Sequence, residues 1–463
     1  MKRIHNYIFA LISAMLLLSS CGDNFFDINT DPNNPAGATP KFVLPSGISG
    51  SAYVVGGYYQ TLGSFWSQHY AQSPGASQWG DLESYNLTED DYDRQFTLLY
   101  AGSLLDLDYT RKVAAKAQDW KYYSIATLMQ AYTLQVVADL YDQVPFTEAF
   151  QGTANLQPHY DKGSLVYDSL FVRIDDAMSK DFTNSTVTNP GASDLIFGGD
   201  MNKWKAFANT LKLKLYMRYV NVSPTKYANE IKALLNENNF LTSDAAVSAF
   251  KDEANSYNPF YGTFIKRLSG NVVASNTLLS FLQNNSDPRI SKLFIASATG
   301  STYAAVPQGA YSALAGKTIK NYCTPNVAPT APVYFFTKEE VQFLKAEAEA
   351  RYGSAANAEA DFNSGVQMSL VSLGLSKDAI VYPYNGIQSI IEQKWIAATN
   401  KNAIESFFDI NRTGYPNFLV RSAVSVFSGD QRPKRLFFPA GEQKSNSNVP
   451  AKVALTEKVW WGK

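Results

Sequence analysis

Apolar residues at helical spacing constrain this chain more than any other feature. Ile125, Leu128, Met129, Tyr132, Val136 and Leu140 fall at i, i+3, i+4, i+7, i+11 and i+15, which lines them along one face of an α-helix. Trp204, Phe207, Ala208, Leu211, Leu215 and Tyr219 repeat that spacing in a second long helix. Thr337-Lys-Glu-Glu340 fits a capping box, with the threonine hydroxyl accepting the amide N–H of Glu340, and opens a third. Val341, Leu344, Ala348 and Tyr352 continue it, Gly353 stops it, and a partner follows from about Ala356 with Phe362 and Val366 inward. Two helices joined by a short turn, with alanine at the crossings, resemble a tetratricopeptide pair, although no strict repeat of about 34 residues is visible. The chain is therefore expected to be mainly α. Lys203, Lys205, Lys212, Lys214 and Arg218 lie mostly off the apolar stripe of their helix and are expected to form a solvated face. Stretches 71–80, 183–200, 296–332 and 439–450, rich in Pro, Gly and Ser, read as long loops of the kind that carry function or stay disordered.

The N-terminus speaks to location. Lys2 and Arg3 precede an apolar run, Ile8 to Leu18, that is short for a membrane span, and Leu18-Ser-Ser-Cys21 resembles the lipobox of a bacterial lipoprotein. Cleavage before Cys21 leaves a lipidated cysteine at the start of the mature chain. Each buried acyl CH₂ contributes about 0.8 kcal/mol, so two or more acyl chains would hold the protein on a membrane durably. Asp27-Ile-Asn-Thr-Asp-Pro-Asn-Asn-Pro35 is dense in turn formers and reads as an extended tether. The expected division is a signal peptide over 1–20, lipidated cysteine and tether over 21–45, and a single domain over 46–463.

Composition excludes several classes. A formal charge of −1 argues against nucleic acid, and 45% hydrophobic residues suffice for a large core. Cys323 is the one cysteine besides Cys21, so the fold owes nothing to disulfides. Three histidines, His5 lost with the signal, leave almost no material for zinc or heme, and no cofactor or metal is expected. Asp27-x-Asn-x-Asp-x-Asn33 alternates oxygens like a calcium loop but has Pro32 where glycine is needed and Ala38 where glutamate is needed. Gly316-Lys-Thr318 resembles the end of a P-loop, yet Tyr311 stands where the first glycine belongs. No GxSxG, HExxH or GxGxxG occurs, so no catalytic residue is assigned. The carboxylates Glu89-Asp-Asp-x-Asp93 could serve a glycosidase but are expected as wet surface.

One segment is unusual for a loop. Phe65, Trp66, His69, Tyr70, Trp79, Tyr85 and Tyr92 crowd a Ser-Pro-Gly-Ala-Ser turn, interleaved with Gln68, Gln72, Gln78, Asp81 and Asn86. Rings offer apolar platforms to the CH faces of a sugar, and amides and carboxylates can bond its hydroxyls. The ligand-binding candidates are Trp79, Trp66, His69, Tyr70, Tyr85, Gln78 and Asp81. Helix-core packing explains Phe65, Trp66 and Tyr70 slightly better than ligand contact does; Trp79, in the loop itself, is the best single candidate.

In order along the chain stand Phe26-Asp-Ile-Asn-Thr-Asp-Pro-Asn33, Asp139-Leu-Tyr-Asp-Gln-Val-Pro-Phe-Thr-Glu-Ala149, Gly198-Gly-Asp-Met-Asn-Lys-Trp204 and Asn285-Ser-Asp-Pro-Arg-Ile290. Phe343-Leu-Lys-Ala-Glu-Ala348, Gln393-Lys-Trp-Ile-Ala397, Asn411-Arg-Thr-Gly-Tyr-Pro416 and Trp460-Trp461 follow. With these, the chain resembles the SusD/RagB family, the surface nutrient-binding lipoproteins of Bacteroidetes, and within it the divergent second SusD-like group. Asn411 before Arg412 and Asp142 before Val-Pro depart from the family pattern without touching an obvious ligand position. The resemblance implies four tetratricopeptide-like helix pairs and an irregular loop-rich portion with few short strands. It also implies an outer-membrane lipoprotein facing the cell exterior, which hands oligosaccharide to a SusC-like TonB-dependent transporter. Peptide or another nutrient as cargo, a surface glycosidase, and a pure interaction scaffold are the alternatives. No binding motif carries over, so the ligand candidates rest on local composition alone.

Overall fold

The computed structural model describes residues 37–184, 186–314 and 316–463. Cys21, the signal segment 1–20 and the Asp27–Asn33 run lie outside the described residues. The longer α-helices are numbered α1 (Pro40–Tyr53), α2 (Gln60–Trp66), α3 (Leu105–Ala117), α4 (Trp120–Tyr141), α5 (Gly163–Met178), α6 (Met201–Arg218), α7 (Ala228–Glu237), α8 (Asn276–Asn284), α9 (Lys338–Tyr352), α10 (Ala355–Ser372), α11 (Ile387–Ala397) and α12 (Ala403–Thr413). Four consecutive pairs pack together, α3 with α4, α5 with α6, α9 with α10 and α11 with α12. They are the four tetratricopeptide-like pairs that the family resemblance implies.

Strands are few and short. Four two-stranded antiparallel ribbons pair 70–72 with 272–274, 143–145 with 160–162, 245–247 with 333–336, and 294–295 with 324–325. The first ribbon joins the segment after α2 to the segment before α8, and the second joins the end of α4 to the start of α5, so strands here tie helix ends together.

Local chemistry explains the helix ends. Thr337 accepts from the Glu340 amide at 3.1 Å, the threonine half of the expected capping box, and Ser354 caps α10 through Asn357. Asp200 caps α6, accepting from the amides of Asn202 and Lys203. Two expectations are corrected. The tether expected through residue 45 is helical from Pro40, because proline is well suited to a first helical turn and Leu44 finds a buried place. The loop expected over 439–450 contains a short helix, Ala440–Ser445, entered through Pro439.

A third correction concerns charge. Lys214 and Arg218 are not on a wet face: they are 0% and 1% exposed. Lys214 meets Glu405 at 2.8 Å, and Arg218 meets Asp139 and Glu405 at 3.0 Å each. Lys394 meets Asp409 at 2.8 Å, and Arg412 meets Glu347 at 2.5 Å and Asp409 at 2.8 Å. Four cations (Lys214, Arg218, Lys394, Arg412) thus face four carboxylates (Asp139, Glu347, Glu405, Asp409) between α4, α6, α9, α11 and α12. Burial alone would raise Asp409, but Lys394, Arg412 and Arg218 hold it well below the usual carboxylate range. Glu340 is the surplus carboxyl: burial lifts it to about 7 against the opposing pull of Lys394 and Lys214. Asp139 also accepts from Tyr167 Oη at 2.6 Å and Trp461 Nε1 at 2.7 Å, which ties the chain's end to α4.

Truncating one member strands its partner in a dry interior, which costs about 3–5 kcal/mol. Arg412→Ala should therefore lose that much stability in urea unfolding. Lys212→Ala, which removes a pair with the exposed Asp175, should lose about 1 kcal/mol or less. Equal losses for the two variants would contradict the assignment.

Candidate functional site

Two facing helical segments wind as π-helix, Val54–Tyr59 between α1 and α2, and Tyr261–Arg267. Such wide turns recur at functional sites. They pack closely because residue 57 is glycine: a Cβ there would sit 3.2 Å from the Pro259 Cβ. Asn258 holds the second segment, donating to Ala331 O at 2.9 Å and accepting from the Tyr261 amide at 3.0 Å.

Around this contact lies a groove in two arms. The larger, about 630 Å³, is lined by Tyr53, Phe250, Tyr257, Asn258 and Arg267, among others. The smaller, about 350 Å³, includes Tyr58, Gln78, Trp79, Asp81, Asp91 and Tyr92. Thr263 and Arg267 belong to both. Rings run from arm to arm: Tyr53–Tyr58 at 5.9 Å, Tyr58–Phe264 at 5.5 Å and Phe264–Trp79 at 4.9 Å between centroids. Tyr53 is 40% exposed and Trp79 half-buried, so both offer ring surface to a guest. Gln78, Asp81, Asp91 and Arg267 are exposed beside them. Exposed ring surface at Tyr53 and Trp79, backed by the buried Phe264, with a polar, mixed-charge rim suits a ligand having one apolar face and many hydroxyls.

The Trp79 loop is held by a relay of hydrogen bonds. The Trp79 amide donates to Gln72 Oε1 at 2.7 Å, and the Gln78 amide donates to Asn271 Oδ1 at 3.1 Å. The buried Glu83 accepts from the amides of Gln72 at 2.9 Å and Gly309 at 2.8 Å. Burial outweighs those two donors and lifts Glu83 to about 7.

Of the residues expected from sequence, the structure brings Trp79, Gln78 and Asp81 together in the groove. The other four are corrected. Trp66 is in the core against Phe407 at 5.0 Å, its indole donating to Leu82 O. His69 is fully buried beside Trp395, and burial drives it down to about 3, so it stays neutral. Tyr70 stacks on Phe260 and Tyr85 on Phe427, both shut from solvent. An aromatic cluster in sequence mixes core and surface rings: Trp66 ends α2 on its buried side, Tyr70 lies in the ribbon with 272–274, and His69 and Tyr85 sit in buried turns. Tyr53, Tyr58, Tyr257 and Arg267 are additions; Tyr53 and Tyr58 border the aromatic segment, but no local signal marks Tyr257 or Arg267.

Among the described residues there is no cluster of His, Cys, Asp or Glu fit to hold a metal ion, and no helix is long and apolar enough to cross a membrane. The family described as "Starch-binding associating with outer membrane", SusD-like, matches residues 32–439. The chain belongs to the SusD/RagB family. Its fold is that of a SusD homologue from Bacteroides uniformis: TM-score 0.77, 22% identity, 91% of this chain and 99% of that one covered. A SusD/RagB family protein from Bacteroides thetaiotaomicron gives TM-score 0.77 at 21% identity, covering 92% and 99%. A chitin-binding SusD homologue from Flavobacterium johnsoniae gives 0.74 at 18%, covering 90% and 98%. The comparison with curated proteins finds no match.

Glu83 generates a pH prediction. Stability from keeping this group protonated is fully present below its ordinary value of 4.5 and is lost as pH rises to about 7. Glu83→Gln should remove about one proton from the pH dependence of unfolding over that window, or about 1.4 kcal/mol per pH unit. Denaturation midpoints collected from pH 4.5 to 7.5 check this; parallel curves for variant and parent would refute it.

Proposed function

We propose that this SusD-family protein captures oligosaccharide in the aromatic groove and delivers it, without cleaving it, to a SusC-like TonB-dependent transporter of the outer membrane. The observation that carries the reading is the ring path from Tyr53 to Trp79 under a hydroxyl-matching rim. The family's association with starch binding and the outer membrane, and a structural neighbour named as chitin-binding, support it. Lipidation at Cys21 would anchor the body on the outer face and leave the groove free. A shallow, open site built on stacking and exposed hydrogen bonds gives modest affinity, which suits a protein that must also release its cargo.

Calorimetry against a panel of starch, chitin and other oligosaccharides tests the function. At least one glycan should bind without turnover, whereas binding confined to peptides would replace the cargo and hydrolysis would replace the mechanism. Tyr53→Ala and Trp79→Ala should each weaken the bound glycan about tenfold or more. Tyr53 is the cleaner probe because Trp79 also packs on Phe65 and Phe264. Cys21→Ala should move the protein from the membrane to the soluble fraction; continued membrane retention would rule out the anchor.

A further inference from the structure

Between the start of α9, the end of α11 and the start of α12 lies a cavity of about 10 Å³. One water needs on the order of 10–15 Å³, so the space suits a single water-sized guest and nothing larger. Apart from Ala397 and Ala398 its lining is polar. Three of the polar residues are already satisfied. Thr337 accepts from the Glu340 amide, Glu405 accepts from Lys214 and Arg218, and Lys401 donates to Glu339 and Ser372.

The other four are not. Glu340 Oε1, Lys394 Nζ, Asn402 Oδ1 and Ser406 Oγ are each buried without a hydrogen-bond partner among the described residues. These residues are between 3% and 6% exposed. Lys394 Nζ stands 2.8 Å from Asp409 as an ion pair, but at an angle that makes no hydrogen bond. It is 3.9 Å from Glu340 Oε1, too far for a direct bond and close enough for one bridging molecule. Asn402 and Ser406 are four residues apart, one turn along the same face of α12. Asn402 Nδ2 already donates to Tyr132 Oη and Phe335 O at 3.4 Å each, which leaves Oδ1 as its free end.

Charge and donor count name the guest. Glu340 and Glu405 line the cavity together with Lys394 and Lys401, so neither sign of charge is in surplus there. A metal cation would lie against the Lys394 ammonium, and an anion against the Glu340 carboxyl. The four free atoms need one partner that both donates and accepts.

We propose that this cavity is the site of one structural water, which accepts from Lys394 Nζ and Ser406 Oγ and donates to Asn402 Oδ1 and Glu340 Oε1. Unpartnered polar atoms are costly in a dry interior, and one immobilised water relieves four at once. Water also serves Glu340 in either protonation state. Burial, Glu405 and Asp409 favour the acid, whereas Lys394 and Lys214 favour the carboxylate. When the acid donates to the water, the Ser406 hydroxyl oxygen becomes the acceptor in its place. The water thereby joins α9, α11 and α12 at the surplus carboxyl of the buried cluster, whatever binds in the groove.

A high-resolution crystal structure of the parent tests this directly. It should show one isolated density peak within hydrogen-bond distance of all four atoms. Rubidium-soaked crystals should give no anomalous signal there; a signal would make the guest a monovalent cation and overturn the assignment. A cavity found empty, or closed by direct bonds among the four side chains, overturns it too. In solution, oxygen-17 relaxation dispersion on the full chain should count one long-lived water fewer in Ser406→Val, whose methyls fill the space, than in the parent. Equal counts contradict the site. The crystal readouts need no variant, so they decide the matter even if Ser406→Val fails to fold.

Discussion

The helical body is organised around buried charge that is paired in place. Lys214, Arg218, Lys394 and Arg412 could not leave water singly, and each is met by a carboxylate from another helix or from one or more turns along its own. A buried ion pair adds little net stability over a well-packed apolar core, since desolvation opposes its Coulombic gain. Its effect is on specificity: helices can slide over an oily contact, whereas a misplaced helix here leaves a bare charge. The cluster thus fixes α4, α6, α9, α11 and α12 relative to one another, and everything outside them is mounted on that frame.

The segments that carry the family resemblance are largely this frame. Asp139 opens one of them, Glu347 and Lys394 sit inside two more, Arg412 is in the next, and Trp461 ends the last. Asp287-Pro-Arg289 makes a separate buried pair at 2.6 Å. What those motifs encode is the interior, which explains why the resemblance identifies the fold and names no ligand residue. The groove is built from other material: two π-helical turns, the Trp79 loop and the 250–260 segment. Such a division lets one scaffold carry different binding faces.

Helices were legible wherever apolar spacing was uninterrupted, as in α4 and α6, or where a cap announced an end, as at Thr337 and Gly353. Lys214 and Arg218 look solvated in sequence because their partner Glu405 lies 191 and 187 residues away, and nothing local distinguishes a buried cation from a wet one. The candidate site was half legible for the same reason. Trp79, Gln78 and Asp81 are neighbours in sequence and in space, whereas Tyr257 and Arg267 reach the groove only through the packing of Gly57 against Pro259. Trp66, His69, Tyr70 and Tyr85 share the composition of a binding loop but not its exposure.

The central claim is that a fixed, charge-locked body presents one aromatic groove to sugar. A crystal structure with an oligosaccharide bound tests it most directly. The account predicts sugar rings lying against Tyr53 and Trp79 across the Thr263–Arg267 junction, with the Arg218, Glu405, Asp409 and Arg412 side chains unmoved from the unliganded positions. Sugar bound on another face, or a groove that opens only by breaking those pairs, would contradict it.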